Sequence, residues 1–226
     1  MSQFDDIVEE YEDSLKDLLG GGDIEKYAEY KVQLVKLITK KQKGKFLDFG
    51  CGTGRSFTYI NHYFPQFDIY GCDVSEESLK YAERYLPANK LFVNTDTKAL
   101  GCKGSMDVVM AACVFHHIPP QERKSWIASV VENLTDDGLF FIFEHNTKNP
   151  MTKRIILDPN NPVDDIEWML SHRDLLGIVK EIPKAEIIWD GYTLFSPWRP
   201  SFMTSLERGL KWLPIGAQHC VVVGRK

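Results

Sequence analysis

The spacing of apolar positions changes part-way along the chain. Phe4–Leu19 and Ile24–Lys41 carry amphipathic helical spacing and are separated by the break at Gly20, Gly21 and Gly22. In the second stretch Tyr27, Tyr30, Leu34, Leu37 and Ile38 recur at three- and four-residue intervals, which predicts one buried helix face. Beyond it, short apolar runs alternate with helical stretches. Lys45–Phe49, Phe67–Cys72, Lys90–Asn94, Met106–Ala111 and Gly138–Phe143 read as strands, and Arg55–Tyr63, Ser75–Tyr85 and Pro120–Asn133 as helices. Such alternation predicts an α/β fold built on a doubly wound, mostly parallel sheet with helices on both faces.

The regularity breaks after residue 145. Asn146–Asp165 is rich in proline, asparagine and aspartate and reads as a long loop. Ser171 is placed to N-cap a helix running through Val179, and Ala185–Asp190 and His219–Val223 read as two final strands. Between those strands lies an aromatic-rich insertion, Phe195–Pro214, with a helical Ser201–Leu213. It suits a lid or substrate wall and equally a packing helix. The expected organisation is one domain: N-terminal helices over 1–43, a core over 44–145 and a substrate side over 146–226.

Composition narrows the function classes. The chain has 226 residues, 43% of them hydrophobic, so one large core is available and wholesale disorder is excluded. A net charge of −5 argues against a protein that coats nucleic acid, which needs a dense cationic face. Cys51, Cys72, Cys102, Cys113 and Cys220 show no C-x2-C spacing and read as free thiols in a reducing compartment. The acidic stretch Met1–Glu12 has no apolar core of a signal peptide, and no apolar run reaches membrane length. A soluble, cytoplasmic protein without a membrane or nucleic-acid partner is expected.

The densest chemical pattern is Leu47–Gly54, LDFGCGTG, a strand running into three alternating glycines and then a helix. The first glycine permits a sharp turn, the next two let a ligand approach the backbone, and the helix-start amides favour an electron-rich group. The spacing is G-x-G-x-G, not the G-x-G-x-x-G that cradles a dinucleotide pyrophosphate. Asp73 closes the second strand, where a carboxylate can accept from both hydroxyls of a ribose. Asp96 closes the third, and Ala112, Cys113 and Val114 follow the fourth. All fall on the carboxyl edge of the sheet, where such folds bind ligands.

These residues resemble a known family, the class I S-adenosylmethionine-dependent methyltransferases. The resemblance rests on Leu47–Gly54, Asp73, Asn94 with Asp96, and Asp107–Ile118, and covers about residues 25–145. It implies a seven-stranded sheet whose last strand is antiparallel, with S-adenosyl-L-methionine as cofactor. The cofactor set it implies is Asp48, Gly50, Cys51, Gly52, Gly54, Asp73, Val74, Asp96, Thr97, Ala112, Cys113, Val114 and His117. Within that set Gly50–Gly54 meet the methionine moiety, Asp73 the ribose and Asp96 the adenine amine. A narrower resemblance, over Glu144–Arg154 and Pro214–Gln218, points to a bacterial subgroup associated with glycan or small-molecule modification; it names no acceptor.

Methyl transfer to an alcohol needs in-line placement, exclusion of water and a base for the hydroxyl proton. His145 is the candidate base, with Glu144 to orient it or to bind the acceptor, on the expectation that strand five ends at Phe143 or Glu144. His116 and His117 read as packing or cofactor contacts, His219 as a strand packing residue, and His62 and His172 as bystanders. No metal site is expected, since the pairs Asp136–Asp137 and Asp164–Asp165 suit a turn and a helix start. Asn146 and Arg154 are candidate acceptor contacts. Arg154 with Lys148 and Lys153 suits an anionic acceptor, and a solvated loop is the even alternative. Trp168, Trp189, Tyr192, Phe195, Trp198 and Phe202 can wall a pocket or belong to the core. The leading reading is a methyltransferase acting on a small molecule through oxygen. Its rivals are a non-catalytic cofactor-binding partner subunit and an NAD-dependent oxidoreductase.

Overall fold

A computed structural model describes residues 24–94, 105–159, 161, 164, 168–194 and 209–226. The predicted helix Phe4–Leu19, Asp96 and Thr97, and most of the Phe195–Pro214 insertion lie outside them.

The first described helix is α1 (Ile24–Ile38). The strands are β1 (Gly44–Phe49), β2 (Phe67–Asp73), β3 (Leu91–Val93), β4 (Met106–Ala112), β5 (Leu134–His145), β6 (Ala185–Thr193) and β7 (Gln218–Arg225). Between them lie α2 (Phe57–Tyr63), α3 (Glu76–Ala82), α4 (Arg123–Asn133), α5 (Pro150–Ile156) and α6 (His172–Lys180). They form one seven-stranded sheet in the order β3-β2-β1-β4-β5-β7-β6. Strands β1 to β5 pair in parallel, and β7 runs antiparallel to both its neighbours, β5 and β6. This is the sheet the resemblance implied.

Side-chain alternation explains the two layers. Val109, Ala111, Phe140, Ile142, Val221 and Val223 pack with Trp126, Ile127, Val130 and Val131 of α4 and Leu175 and Val179 of α6. Val108, Met110, Phe141, Phe143, Cys220 and Val222 point the other way, toward Val32, Leu34 and Val35 of α1 and Phe57 and Ile60 of α2. A strand buried on both faces reads as a continuous apolar run, which is why the central strands were visible from sequence.

Three expectations need correction. The inward face of α1 is displaced: Tyr30 and Leu34 are buried, but so are Val32 and Val35, while Leu37 is exposed. The stretch after β5 is not all loop, because Asn149 caps α5, its Oδ1 accepting from the amides of Met151 (2.9 Å) and Thr152 (3.0 Å). Pro150 sits at the first helical position, where its missing N–H removes nothing. Strand β5 continues through His145, which matters for the site. The Ser171 cap forms as expected, its Oγ accepting from the Asp174 amide at 3.2 Å. Among the described residues no helix is long and apolar enough to cross a membrane.

Candidate active site

The carboxyl ends of β1, β2 and β4 frame the expected glycine turn. Gly50, Gly52 and Gly54 all adopt positive φ (71°, 53° and 83°). A Cβ on Gly50 would lie 2.5 Å from Val114, whereas one on Gly52 would meet nothing within 4 Å. Gly50 therefore packs against the β4 end, and Gly52 faces open space. The amides of Gly50 and Cys51 donate to the Cys72 carbonyl, which ties the turn to β2. Asp73 braces it further: its Oδ2 accepts from Gly52 N (2.8 Å) and its Oδ1 from Ser75 N (3.0 Å). Val74 beside it is exposed, as a wall for a planar base would be. Asp48 lies beneath the turn, buried, and its Oδ2 has no hydrogen-bond partner among the described residues. Burial chiefly, with the charge of Asp73, pushes its carboxyl up to about 7, against the opposing pull of Lys31 and a hydrogen bond from Ser56. A buried carboxylate oxygen without a donor beside a backbone cradle fits the cationic amino group of a methionine moiety. The residues present thus fit S-adenosylmethionine.

The β4 end is bent by Cys113, which adopts φ 61° without being glycine. That left-handed conformation is uncommon for a side chain of this kind and turns the thiol out of the strand. Its sulfur accepts from Gln218 Nε2 at 2.9 Å, and Lys31 of α1 reaches to 3.9 Å. His145 is its third neighbour. Burial alone would raise the thiol, but His145 and Lys31 together lower it to about 7. Reciprocally, burial lowers His145 and the Cys113 sulfur raises it, leaving the imidazole above its ordinary value.

Glu144 does not orient His145. It stands in β5 at the parity of Phe140 and Ile142 and is fully buried. Its Oε1 accepts from the amides of Val114 (3.2 Å) and Phe115 (2.8 Å), and its Oε2 lies 2.6 Å from His116 Nδ1. The expectation that Glu144 is a catalytic or acceptor-binding group over the cleft is corrected: it organises the β4 end from inside. Burial opposes its charge, but His116 holds its carboxyl down to about 2. His116 is likewise more than packing. Its Nε2 lies 3.0 Å from Asp164 Oδ1, so the ring is clamped between two carboxylates. Burial disfavours its charge, yet Glu144 and Asp164 push it up to about 10. His117, desolvated and beside that cation, falls to about 3. Asp164 is therefore not the solvated helix-start acid expected.

Asn146 is a brace and is corrected as an acceptor contact. Its Nδ2 donates to the carbonyls of Pro214 (3.1 Å) and Gly216 (2.7 Å), and its Oδ1 accepts from Lys148 N. Arg154 lies exposed on α5. His219 is buried with Nε2 3.0 Å from the Leu170 carbonyl, and desolvation first of all lowers it to about 4, in keeping with packing. Of the residues the structure adds to the site, Lys31, Asp164 and Gln218 have no local motif, while His116 was visible only as one of two adjacent histidines.

Residues 47–140 match the sequence model of a family described as "Methyltransferase domain". A carboxy-S-adenosyl-L-methionine synthase of Campylobacter hominis is 31% identical over 107 residues, covering 46% of this chain and 45% of the relative. The chain spans about half the length of the curated relatives it matches. Among solved structures, a TehB-like S-adenosylmethionine-dependent methyltransferase from Corynebacterium glutamicum superposes with a TM-score of 0.64 at 20% identity, covering 97% of this chain and 98% of the other. The plantazolicin methyltransferase BpumL, solved with S-adenosylhomocysteine, gives 0.62 at 20% identity, covering 88% and 82%. Sheet order, glycine turn and these matches agree: residues 47–140 carry the sequence pattern of a methyltransferase domain, on a fold shared with S-adenosylmethionine-dependent methyltransferases.

Proposed function

We propose that the protein transfers a methyl group from S-adenosylmethionine to a small-molecule acceptor, with an oxygen as the receiving atom. The observation that carries this reading is the unpartnered Oδ2 of Asp48 under a glycine turn braced by Asp73. The cofactor would supply a methyl activated on a sulfonium. Asp48 would hold the amino group, Asp73 the ribose, and the open side of Gly52 would admit the backbone-facing edge. The spacing of the turn favours this donor over a nicotinamide dinucleotide.

His145 is the residue we assign to receive the acceptor's proton. It ends β5 next to the β4 end and is only partly buried, with Cys113 behind it. As the oxygen gains the methyl, its proton passes to the imidazole, and the S–CH3 bond breaks to leave a neutral thioether. Gln218 and Lys31 hold the Cys113 sulfur in place and so fix the ring from behind. Arg154, exposed on α5 with Lys153, suits a negatively charged part of the acceptor.

Equilibrium dialysis against S-adenosylmethionine and NAD, followed by a mass-spectrometric screen of metabolites for a methyl-sized gain, tests the reading. Retention of NAD alone would overturn it. Cofactor binding with no product from any acceptor would favour a non-catalytic partner subunit. Asp73→Ala should weaken S-adenosylmethionine by about 1.5–3 kcal/mol, the range for hydrogen bonds to a charged group, without changing the far-UV spectrum. Unchanged calorimetric affinity would remove Asp73 from the ribose. Arg154→Ala should raise acceptor KM and leave cofactor affinity alone; unaltered acceptor kinetics would return Arg154 to the solvent.

A further inference from the structure

We infer that His116, His117 and Asp164 form a binding site for a divalent transition-metal cation of the zinc class, just beyond the end of β4. Glu144 fixes the chemistry of the first ligand. With its carboxylate 2.6 Å from Nδ1, that nitrogen keeps its proton, so when the ring gives up its second proton the lone pair falls on Nε2. Nε2 in turn points at Asp164 Oδ1, 3.0 Å away. A nitrogen lone pair and a carboxylate oxygen at that distance repel unless a positive charge lies between them. A second proton can supply it, and so can a metal ion.

The surroundings favour the ion. The Nε2 of His117 lies 3.9 Å from the same Asp164 oxygen, so three donor atoms converge on one point. The other oxygen of Asp164 accepts from Asn161 Nδ2 at 3.0 Å, which turns Oδ1 toward the two rings. All three donors lie within 4.8 Å of one another. Tetrahedral zinc, with bonds of about 2.0–2.1 Å, holds its ligands about 3.3 Å apart, so a closure of at most about 1.5 Å brings the three donors to that spacing. A proton accounts for the 3.0 Å contact between His116 and Asp164; an ion accounts for that contact and for the approach of the second imidazole to the same oxygen. Carboxylate behind histidine is also how metal-bound imidazoles are commonly oriented, and Glu144 stands in that position.

Two imidazoles and one carboxylate are ligands for zinc, iron(II), cobalt(II) or manganese(II) rather than for magnesium or calcium. His116 is buried, whereas His117 and Asp164 are partly exposed, which gives an ion a way in. Three protein donors leave a position for water or an acceptor oxygen, the arrangement of a catalytic rather than a structural site. The inference does not rest on the methyl-transfer reading, since cation binding can be measured without either substrate.

The test uses the full chain after dialysis against a chelator, with zinc in a calorimeter and cobalt(II) by visible absorption. One ion per chain with a Kd in the micromolar range or tighter is expected, and cobalt should show the intense bands of a low-symmetry site. Asp164→Asn and His117→Ala should each weaken zinc by at least tenfold, and Glu144→Gln by roughly 10–100-fold, the usual range for loss of a ligand's orienting partner. Cys113→Ser should leave zinc affinity unchanged. The far-UV spectrum and thermal unfolding midpoint of each variant report that the fold survives, and S-adenosylhomocysteine binding by the wild type, measured apart, separates failure here from failure of the cofactor reading. No binding below millimolar zinc, unchanged affinity in both Asp164→Asn and His117→Ala, or loss of zinc in Cys113→Ser alone would overturn the site.

Discussion

His145→Ala should lower kcat on the true acceptor by roughly 10²–10⁴-fold, the usual range for removal of a general base, with S-adenosylmethionine affinity almost unchanged. The imidazole stands at the end of β5, outside the glycine turn, and so makes little contribution to holding the cofactor. An independent readout comes from its partner. His145 is the first of the groups that pull the Cys113 thiol down to about 7, so its removal should raise that thiol. Alkylation of Cys113, followed by mass spectrometry of its peptide, should therefore shift to higher pH in the variant. Near-wild-type kcat would show that positioning alone suffices and that the proton leaves to water. An unshifted alkylation profile would separate His145 from Cys113 in solution.

Asp48→Asn should abolish a pH dependence of stability that the ligand-free wild type possesses. The folded carboxyl titrates near 7, against an ordinary 3.8, chiefly because burial disfavours its charge. Between those values the folded chain keeps a proton that the unfolded chain releases. The stabilising preference is full below pH 3.8 and is lost as the pH rises through 7, a loss on the order of 4 kcal/mol by pH 8. Lys31, Asp73 and Ser56 are the groups that face it, and none of them supplies a donor to Oδ2. Urea unfolding at pH 5 and pH 8 should show the loss in wild type and its absence in the amide. The variant should also lose S-adenosylmethionine, because a neutral amide cannot match the amino group. Equal pH dependence in the two proteins would remove the buried charge from the account.

The parts of this molecule that sequence made legible are those with a local physical cause. Central strands are apolar because both faces are covered, and the glycine turn is visible because only glycine tolerates its positive φ at Gly50 and Gly54, where a Cβ would also collide. Ser171 announced its helix through an ordinary cap. Asn149 and Pro150 carry the same kind of cue, but proline among many Asn and Asp residues reads equally as a breaker, and only the formed cap distinguishes α5 from a loop. Glu144 is a different case. Its alternation with Phe140 and Ile142 puts it on the α4 side only because β5 runs on through His145, and a strand ending at Phe143 or Glu144 leaves parity undecided. The clamp on His116 was out of reach: Glu144 and Asp164 lie 28 and 48 residues from it, and no spacing rule connects them.

The position of β7 has a consequence for the way the chain is made. It lies between β5 and β6, yet follows both in sequence, and pairs with β5 from Leu139↔Gly224 to His145↔Gln218. During synthesis β6 therefore emerges with no neighbour in the sheet, and β5 waits with one bare edge of backbone donors and acceptors. Ribosomes add about 5–20 residues per second, so the interval is seconds long. Closing a β pairing across so large a loop is among the slower elementary steps of folding, and an unpaired apolar strand is adhesive while it waits. Strand β5 carries Phe140, Phe141, Ile142 and Phe143 in succession. Newly made chains should accordingly be most prone to aggregation in that interval and should gain most from a holding chaperone before Gln218 clears the ribosome.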